Sequence, residues 1–228
     1  MLRLSKVCLC CIPIGLTLVS LLAVQPIRAA TIGPTIAYMD PADLGNQSNF
    51  GGSLFQNFTV NGAITVSQLG VFDSGQNGIA GALTVTIFSS TGTAVTPTET
   101  FTGTAGTLIG GDRFLPISPV TLPPGDYSLT TTGWGGQDLN GNFACINNSS
   151  CPGGPFTAPT LNTGNGLVTY TGVNFGSGGY LPPVPGSSPD QFNAGSFVFA
   201  PEPATAILLA VGLLLLVLAP TLRRQPTQ

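Results

Sequence analysis

The chain has 228 residues, only 7% of them charged, with a formal net charge of −3 at pH 7 and no histidine. Without histidine, Ser-His-Asp and Cys-His catalysis and histidine-ligated zinc sites are excluded. Between residues 31 and 200 a single cation, Arg113, stands against eight carboxylates, a net charge of −7 that argues against nucleic acid and anionic lipid as partners. Abundant Gly, Pro, Thr and Val in this part predict β-strands joined by many turns.

Residues 1–30 fit a secretory signal peptide. Two cations, Arg3 and Lys6, precede a long apolar segment, and cleavage is expected at or next to Ala30. An uncleaved anchor is the alternative, because Arg28 lies close to the cleavage site.

Two cysteines, Cys145 and Cys151, remain in the exported part of the chain, and we predict that they form a disulfide. The residues between them include Asn147–Ser150, a flexible turn-forming run that allows the two Cα atoms to approach within bonding distance. Such a small loop predicts a stabilisation of roughly 2 kcal/mol.

Eight segments have the composition and apolar alternation of β-strands. They are Ser53–Val60, Ile64–Phe72, Leu83–Phe88, Thr96–Thr104, Phe114–Val120, Asp126–Thr132, Leu167–Thr171 and Gln191–Phe199. Asn61-Gly62 predicts a two-residue hairpin between the first two. Apolar parity switches at Ser67-Gln68, which predicts a β-bulge; a strand buried on both faces is the alternative. Together the segments predict an all-β, jelly-roll-like β-sandwich ectodomain over residues 31–198.

Two loops alternate oxygen-bearing side chains as a calcium loop does. Asp73–Gly78 has no closing Glu, and Asp138–Asn142 lacks the glycine expected at position six. Ordinary turn chemistry explains both loops, with structural calcium as the alternative. We therefore predict no metal and no cofactor.

The second loop also holds the candidate ligand-binding residues, which are Asp138, Asn140 and Asn142, with Trp134 close by in the sequence. Trp134 and Tyr170 could stack on sugar rings, although aromatic residues in such a sandwich are more often core. The eight carboxylates mostly lie beside Gly, Pro or Asn, and no two stand out as an acid and a base. The sequence therefore predicts that the protein is not an enzyme.

Five threonines alternate along Thr96–Thr104 and would share one face of a strand. Such a row can order water or meet a sugar face. The solvent face of an edge strand is the simpler interpretation, which Pro97 also favours.

The C-terminal tail joins three physically different pieces. Pro201-Glu202-Pro203 is a stiff, extended tripeptide, because each proline fixes φ and disfavours helix at the residue before it. Residues 204–222 contain no ionisable side chain and are just long enough to span a membrane as a helix. Arg223 and Arg224 place the far end on the cytoplasmic side by the positive-inside rule.

This order and spacing over residues 199–226 resembles a PEP-CTERM sorting signal. The resemblance implies export, a single-pass precursor in the inner membrane, and processing by exosortase, a membrane-embedded transpeptidase-like enzyme. In addition, Phe58–Val66, Leu69–Asp73, Val85–Phe88 and Val120–Tyr127 are similar to a β-sandwich domain common in PEP-CTERM precursors. That second resemblance implies a jelly-roll-like fold and brings no catalytic residues.

The sequence thus predicts an exported protein of the cell surface or extracellular matrix of a Gram-negative-type bacterium, structural or associated with extracellular polysaccharide. A carbohydrate-binding module is the first alternative, and a glycan-active enzyme is the second.

Overall fold

In a computed structural model, the described residues are 33–47, 51–145 and 155–202, and they form antiparallel β-sheets packed as a sandwich. The predicted signal peptide, the whole loop between the two cysteines, and the predicted membrane segment lie outside these residues.

The described part contains fourteen strands and two short 3₁₀ turns, Ser74–Gln76 and Phe143–Cys145. The strands are β1 (Thr35–Ile36), β2 (Tyr38–Met39), β3 (Ser53–Val60), β4 (Ile64–Phe72), β5 (Ile79–Ser89), β6 (Glu99–Gly103), β7 (Thr107–Ile109), β8 (Asp112–Leu122), β9 (Gly125–Thr132), β10 (Gly141–Asn142), β11 (Thr160–Leu161), β12 (Val168–Gly176), β13 (Phe192–Asn193) and β14 (Gly195–Pro201). Each of the eight predicted segments contains a strand, but Gln191–Phe199 is divided between β13 and β14, which belong to different sheets. The other two- and three-residue strands were not predicted.

Two five-stranded sheets face each other. The first has the order β1-β14-β4-β8-β7 and the second the order β12-β3-β9-β5-β6. Two small ladders, β10-β13 and β11-β2, form separate two-stranded sheets, and the strands of all four sheets pair antiparallel. The chain passes from one sheet to the other at most of its connections.

The core lies between the two sheets and is aromatic at its centre. Phe58 of β3 and Phe197 of β14, on opposite sheets, are both fully buried with ring centroids 4.9 Å apart. Tyr127 stacks on Phe58 at 5.7 Å. Burial of each such ring contributes roughly 1.5–3 kcal/mol, so these contacts hold the sheets together.

The predicted β-bulge in β4 is confirmed. Pairing with both β14 and β8 shifts between Val66 and Gln68, leaving Ser67 out of register. As a result Ile64, Val66, Leu69 and Val71 are all buried in the same core, although their spacing in a regular strand would place them on opposite faces.

The predicted hairpin at Asn61-Gly62 is wrong. β3 and β4 belong to different sheets, so these two residues make a connection between sheets. Neither residue has the positive φ that a type I′ turn requires. Instead the Asn61 amide side chain donates to the Gly166 carbonyl and to Thr169 Oγ1, both at 2.8 Å, which ties the connection to the start of β12.

The alternating threonines do lie at a sheet edge, because β6 is the last strand of the second sheet. Thr100, Thr102 and Thr104 are exposed, while Phe101 between them is buried in the core. Thr96 differs from the rest: it is buried, and its hydroxyl accepts the Ile87 N–H at 3.0 Å. The row is therefore mostly the solvent face of an edge strand, as predicted.

Residues 177–190, which we call the strap, cross the outer face of the second sheet. Asn57 Nδ2 donates to the Leu181 carbonyl at 3.0 Å, and the Val184 N–H donates to the Val173 carbonyl at 2.9 Å. Thr130 Oγ1 reaches the Gly179 carbonyl at 3.4 Å. Polar residues of this face are buried because the strap covers them.

Candidate functional site

Two buried carboxyl groups, Asp40 and Asp112, meet at one edge of the first sheet. Asp40 follows β2 and Asp112 begins β8, and they are 1% and 0% exposed. The Asp40 N–H donates to Asp112 Oδ2 at 3.0 Å. Both Asp40 carboxyl oxygens and Asp112 Oδ1 are buried without a donor in the described part of the chain. A proton on one of the two carboxyls would provide an O–H donor, and the other carboxyl could then accept a hydrogen bond from it.

The backbone near this pair is close-packed, and glycine permits it. The Gly111 N–H donates to the Asp40 carbonyl at 2.8 Å. A Cβ on Gly111 would lie 2.1 Å from the Pro41 carbonyl oxygen, so no larger residue fits there. Nothing in the sequence links Asp40 to Asp112, 72 residues away, because their approach depends on sheet topology.

The surroundings of the pair favour the protonated form. Burial, and then the charge of Asp112, raises the pKa of Asp40 well above its ordinary value. Burial raises the pKa of Asp112 to about 7, against the lowering effect of its hydrogen bonds with Asp40. We therefore expect the pair to retain a proton near neutral pH.

A second buried carboxylate, Asp73, has full compensation. Arg113 Nε donates to Asp73 Oδ2 at 2.6 Å, and the two side chains are 8% and 1% exposed. The Gly78 N–H donates to both Asp73 oxygens, at 3.0 and 3.1 Å. Arg113 also reaches the Thr104 carbonyl at 3.1 Å. Asp73 opens the loop Asp73–Gly78, for which ordinary turn chemistry was predicted with structural calcium as the alternative, and its carboxylate is thus engaged by donors.

The predicted ligand-binding residues have structural contacts. Trp134 is buried in the core and donates to Thr131 Oγ1 at 3.0 Å. Asp138 accepts the N–H groups of Ala80 and Gly81, both at 2.7 Å, which fixes the start of β5. Tyr170 is half-buried against the core, and its hydroxyl donates toward the Asn162 carbonyl at 2.6 Å.

The two asparagines of the same prediction lie in a buried amide cluster. Asn142 donates its N–H to Asn46 Oδ1 at 2.7 Å and its Nδ2 to Gln47 Oε1 at 3.1 Å. The side chain of Asn140 is fully buried, and neither of its polar atoms has a hydrogen-bond partner in the described part. The four residues therefore do not form an open surface. A ligand role for them stays a prediction.

Among the residues that the structure describes, no group of three or more Cys, Asp or Glu side chains is placed to hold a metal ion. Cys145 is buried and disulfide-bonded. Its predicted partner, Cys151, lies outside the described residues. The Cys145–Cys151 pairing therefore stays a prediction.

The first residues of the predicted sorting motif belong to the sandwich. Pro201 is the last residue of β14 and pairs with Ile64, so the strand extends past the predicted domain boundary at 198. The Glu202 N–H donates to the Ala63 carbonyl at 3.1 Å. Its carboxylate accepts hydroxyl hydrogen bonds from Thr65, at 2.9 Å, and from Thr121. These bonds, that of Thr121 first, lower the pKa of Glu202.

Pro203, Arg223 and Arg224, and the predicted span 204–222, lie outside the described residues. Within the described ones, no helix has the length and apolar character needed to cross a membrane.

An open surface that sequence analysis did not identify lies beside the strap. One groove of about 280 Å³ is lined by Phe143, Phe156, Ala158, Ser188 and Asp190. A second, of about 240 Å³, is lined by Val173, Phe175, Val184, Pro185, Gly186, Ser187 and Gln191. Phe143 and Phe175 are 60% and 59% exposed. Exposure of this kind depends on packing, and the sequence alone carried no signal for it.

No protein family matches this sequence, and no curated protein matches it. Among solved structures, a chain of the T13 IBDV viral particle is 19% identical with a TM-score of 0.25, covering 76% of this chain and 41% of the viral one. A chain of infectious bursal disease virus Gx strain is 17% identical with a TM-score of 0.23, covering 83% of this chain and 50% of the viral one. This chain spans half or less of those viral chains, and the likeness carries no argument.

Proposed function

We propose that the protein is an exported component of the cell surface or extracellular matrix, sorted by exosortase through its C-terminal segment. One observation carries the proposal: Pro201-Glu202-Pro203, the uncharged stretch 204–222 and the pair Arg223-Arg224 follow one another directly in this order. The precursor would be held in the inner membrane of a Gram-negative-type bacterium, after export directed by residues 1–30.

The described part of the tail is consistent with this proposal. β14 runs directly into the motif, so no flexible linker separates the sandwich from Glu202. Pro201 and Glu202 would then lie at the outer membrane boundary of the span, with the sandwich immediately above. Cleavage at or just after the motif would release the whole sandwich.

We further propose that the sandwich is of jelly-roll type and that its role is structural, in association with extracellular polysaccharide. The antiparallel sheets with repeated crossings between them support the fold. A glycan-active enzyme would need two carboxyl groups about 5–10 Å apart in an open cleft. The pair Asp40–Asp112 is closed to solvent, so it offers no such site to a glycan.

The test is to express the full chain in a host with exosortase and in the same host without it. We expect processed protein at the surface only when exosortase is present. Glu202→Ala, or replacement of Arg223 and Arg224 by Gln, should leave full-length protein in the membrane. Glu99→Gln, a change on the edge strand β6, is the matched control and should be processed normally. Equal processing of all variants without exosortase would refute the proposal.

A further inference from the structure

We infer that the two grooves beside the strap form one extended binding surface for a neutral polysaccharide, and this inference rests on the proposed role at the cell surface. The two grooves share a wall. Ser188 and Asp190 line the first, and Ser187 and Gln191 line the second, so the short segment 187–191 separates them. A ligand longer than one groove would cross this wall and occupy both, as a polymer of repeated units does.

Each groove exposes an aromatic ring. Phe143 is 60% exposed in the first and Phe175 is 59% exposed in the second. Small-molecule sites are typically concave and lined by apolar and aromatic side chains with a few polar groups, as both of these grooves are. The face of an aromatic ring is negative, and it attracts the C–H groups on the flat side of a sugar, which are weakly positive. Two such rings provide two stacking positions.

The rings are held by the fold. The Phe143 N–H donates to the Gln191 carbonyl at 2.9 Å, next to the ladder of β10 with β13. Its ring packs edge to face on Phe156, with centroids 6.1 Å apart. The second groove is fixed by Ser187, whose hydroxyl accepts the Val173 N–H at 3.0 Å. A preformed surface of this kind binds with less loss of conformational entropy.

Polar groups line the shared wall between the rings. The Ser188 hydroxyl donates to Asp190 Oδ1. In the described part of the chain, Asp190 Oδ2 and the Gln191 side-chain amide make no hydrogen bond, so they could accept from or donate to sugar hydroxyls. Volumes of about 280 and 240 Å³ lie just below the range of ordinary small-molecule sites, about 300–1,000 Å³, which suits one sugar unit in each groove.

Charge determines the class of polysaccharide. Asp190 lies on the wall, and the exported part has one cation against eight carboxylates. An anionic polymer such as polygalacturonate would meet repulsion, while a neutral one would not. The occupant is therefore a chain of uncharged sugars.

The experiment uses the full-length chain, purified in a zwitterionic detergent whose head group is not a sugar. Calorimetry would measure binding of cello- and malto-oligosaccharides of two and six units, with oligogalacturonate of six units as the anionic probe. We expect at least one neutral series to bind, with the six-unit member clearly tighter than the two-unit member. The anionic probe should bind more weakly than either neutral hexamer.

Variants locate the surface. Phe143→Ala and Phe175→Ala should each weaken hexamer binding about tenfold, a loss of about 1.4 kcal/mol. Leu108→Ala, an exposed apolar residue on β7 outside both grooves, is the matched control and should bind as the wild type does. Thermal unfolding of every variant shows whether the fold is kept.

Wild-type protein that binds neither neutral series, or that prefers the anionic probe, would overturn the inference. So would hexamer binding unchanged by both phenylalanine variants. Processing by exosortase, followed in the same variants, separates the two proposals. Normal processing without sugar binding would reject the binding surface alone, whereas loss of processing in the wild type would reject the sorting proposal.

Discussion

Asp112 and Arg113, neighbours at the start of β8, belong to two buried acid sites of opposite kinds. Arg113 compensates Asp73 in an ion pair that also receives a backbone N–H. Asp112 meets a second carboxyl, Asp40, and three of their four oxygens are buried without a donor in the described part. The ion pair supplies the Asp73 carboxylate with donors, whereas the surroundings of the Asp40–Asp112 pair favour its protonated form. We therefore expect the stability of the fold to depend on pH through the Asp40–Asp112 pair.

The largest effect should come from breaking the compensated pair. Arg113→Met leaves Asp73 buried without its cation, and we expect a loss of about 3–5 kcal/mol in the free energy of unfolding. Urea unfolding of the full-length chain in detergent, followed by fluorescence of the buried Trp134, measures it. The double variant Asp73→Asn with Arg113→Met should lose much less, because no unpaired charge remains. A single variant as stable as the double would show that the pair is not charge-compensated.

The next effect concerns pH and the uncompensated pair. The pKa of Asp112 is raised from 3.8 to about 7, so the folded chain holds a proton that the unfolded chain releases. The contribution of the pair to the free energy of unfolding is therefore complete below the pKa of the unfolded chain, and it is lost as pH rises through about 7. Asp112→Asn supplies a permanent N–H donor, so it should flatten this fall and raise the melting temperature at pH 8. Each recovered kcal/mol corresponds to about 2–4 °C.

Differential scanning calorimetry between pH 4 and pH 8 tests this prediction. Glu99→Gln is the control, since this residue lies on the edge strand away from the pair, and it should keep the slope of the wild type. An identical pH profile for wild type and Asp112→Asn would mean that the two carboxyls do not share a proton.

The smallest effect, with the opposite pH dependence, should come from Glu202. Hydrogen bonds from Thr121 and Thr65 lower its pKa below 4.5. The contribution of Glu202 to the free energy of unfolding is thus present above its pKa in the unfolded chain. It is lost as pH falls through its pKa in the folded protein. Thr65→Val with Thr121→Val should lower the melting temperature at pH 7 by only ~1–2 °C, because hydrogen bonds at a partly exposed carboxylate contribute little net stability. A destabilisation that persists unchanged at pH 2.5 would contradict this account.

Local pattern predicted the strands well and the contacts between distant strands poorly. The alternation and the parity switch in β4 are local signals, and both the strand and its bulge are confirmed. Asn61-Gly62 was misleading, because whether two consecutive strands pair or change sheets depends on the packing of both apolar faces. The Asp40–Asp112 pair and the grooves at Phe143 and Phe175 depend on residues far apart in sequence. The sequence pattern around Asp138 suggested a ligand-binding loop. In the structure the Asp138 carboxylate instead accepts hydrogen bonds from the backbone of Ala80 and Gly81.

The central claim is that Pro201-Glu202-Pro203 is a sorting signal that is cut. The most direct measurement is the C-terminal peptide of the mature protein, identified by mass spectrometry after expression of the full chain with exosortase. We predict that this peptide ends at or just after the motif and that the apolar stretch 204–222 is missing. A mature protein whose last peptide still contains Leu213–Leu218 would contradict the claim and leave only a simple membrane anchor.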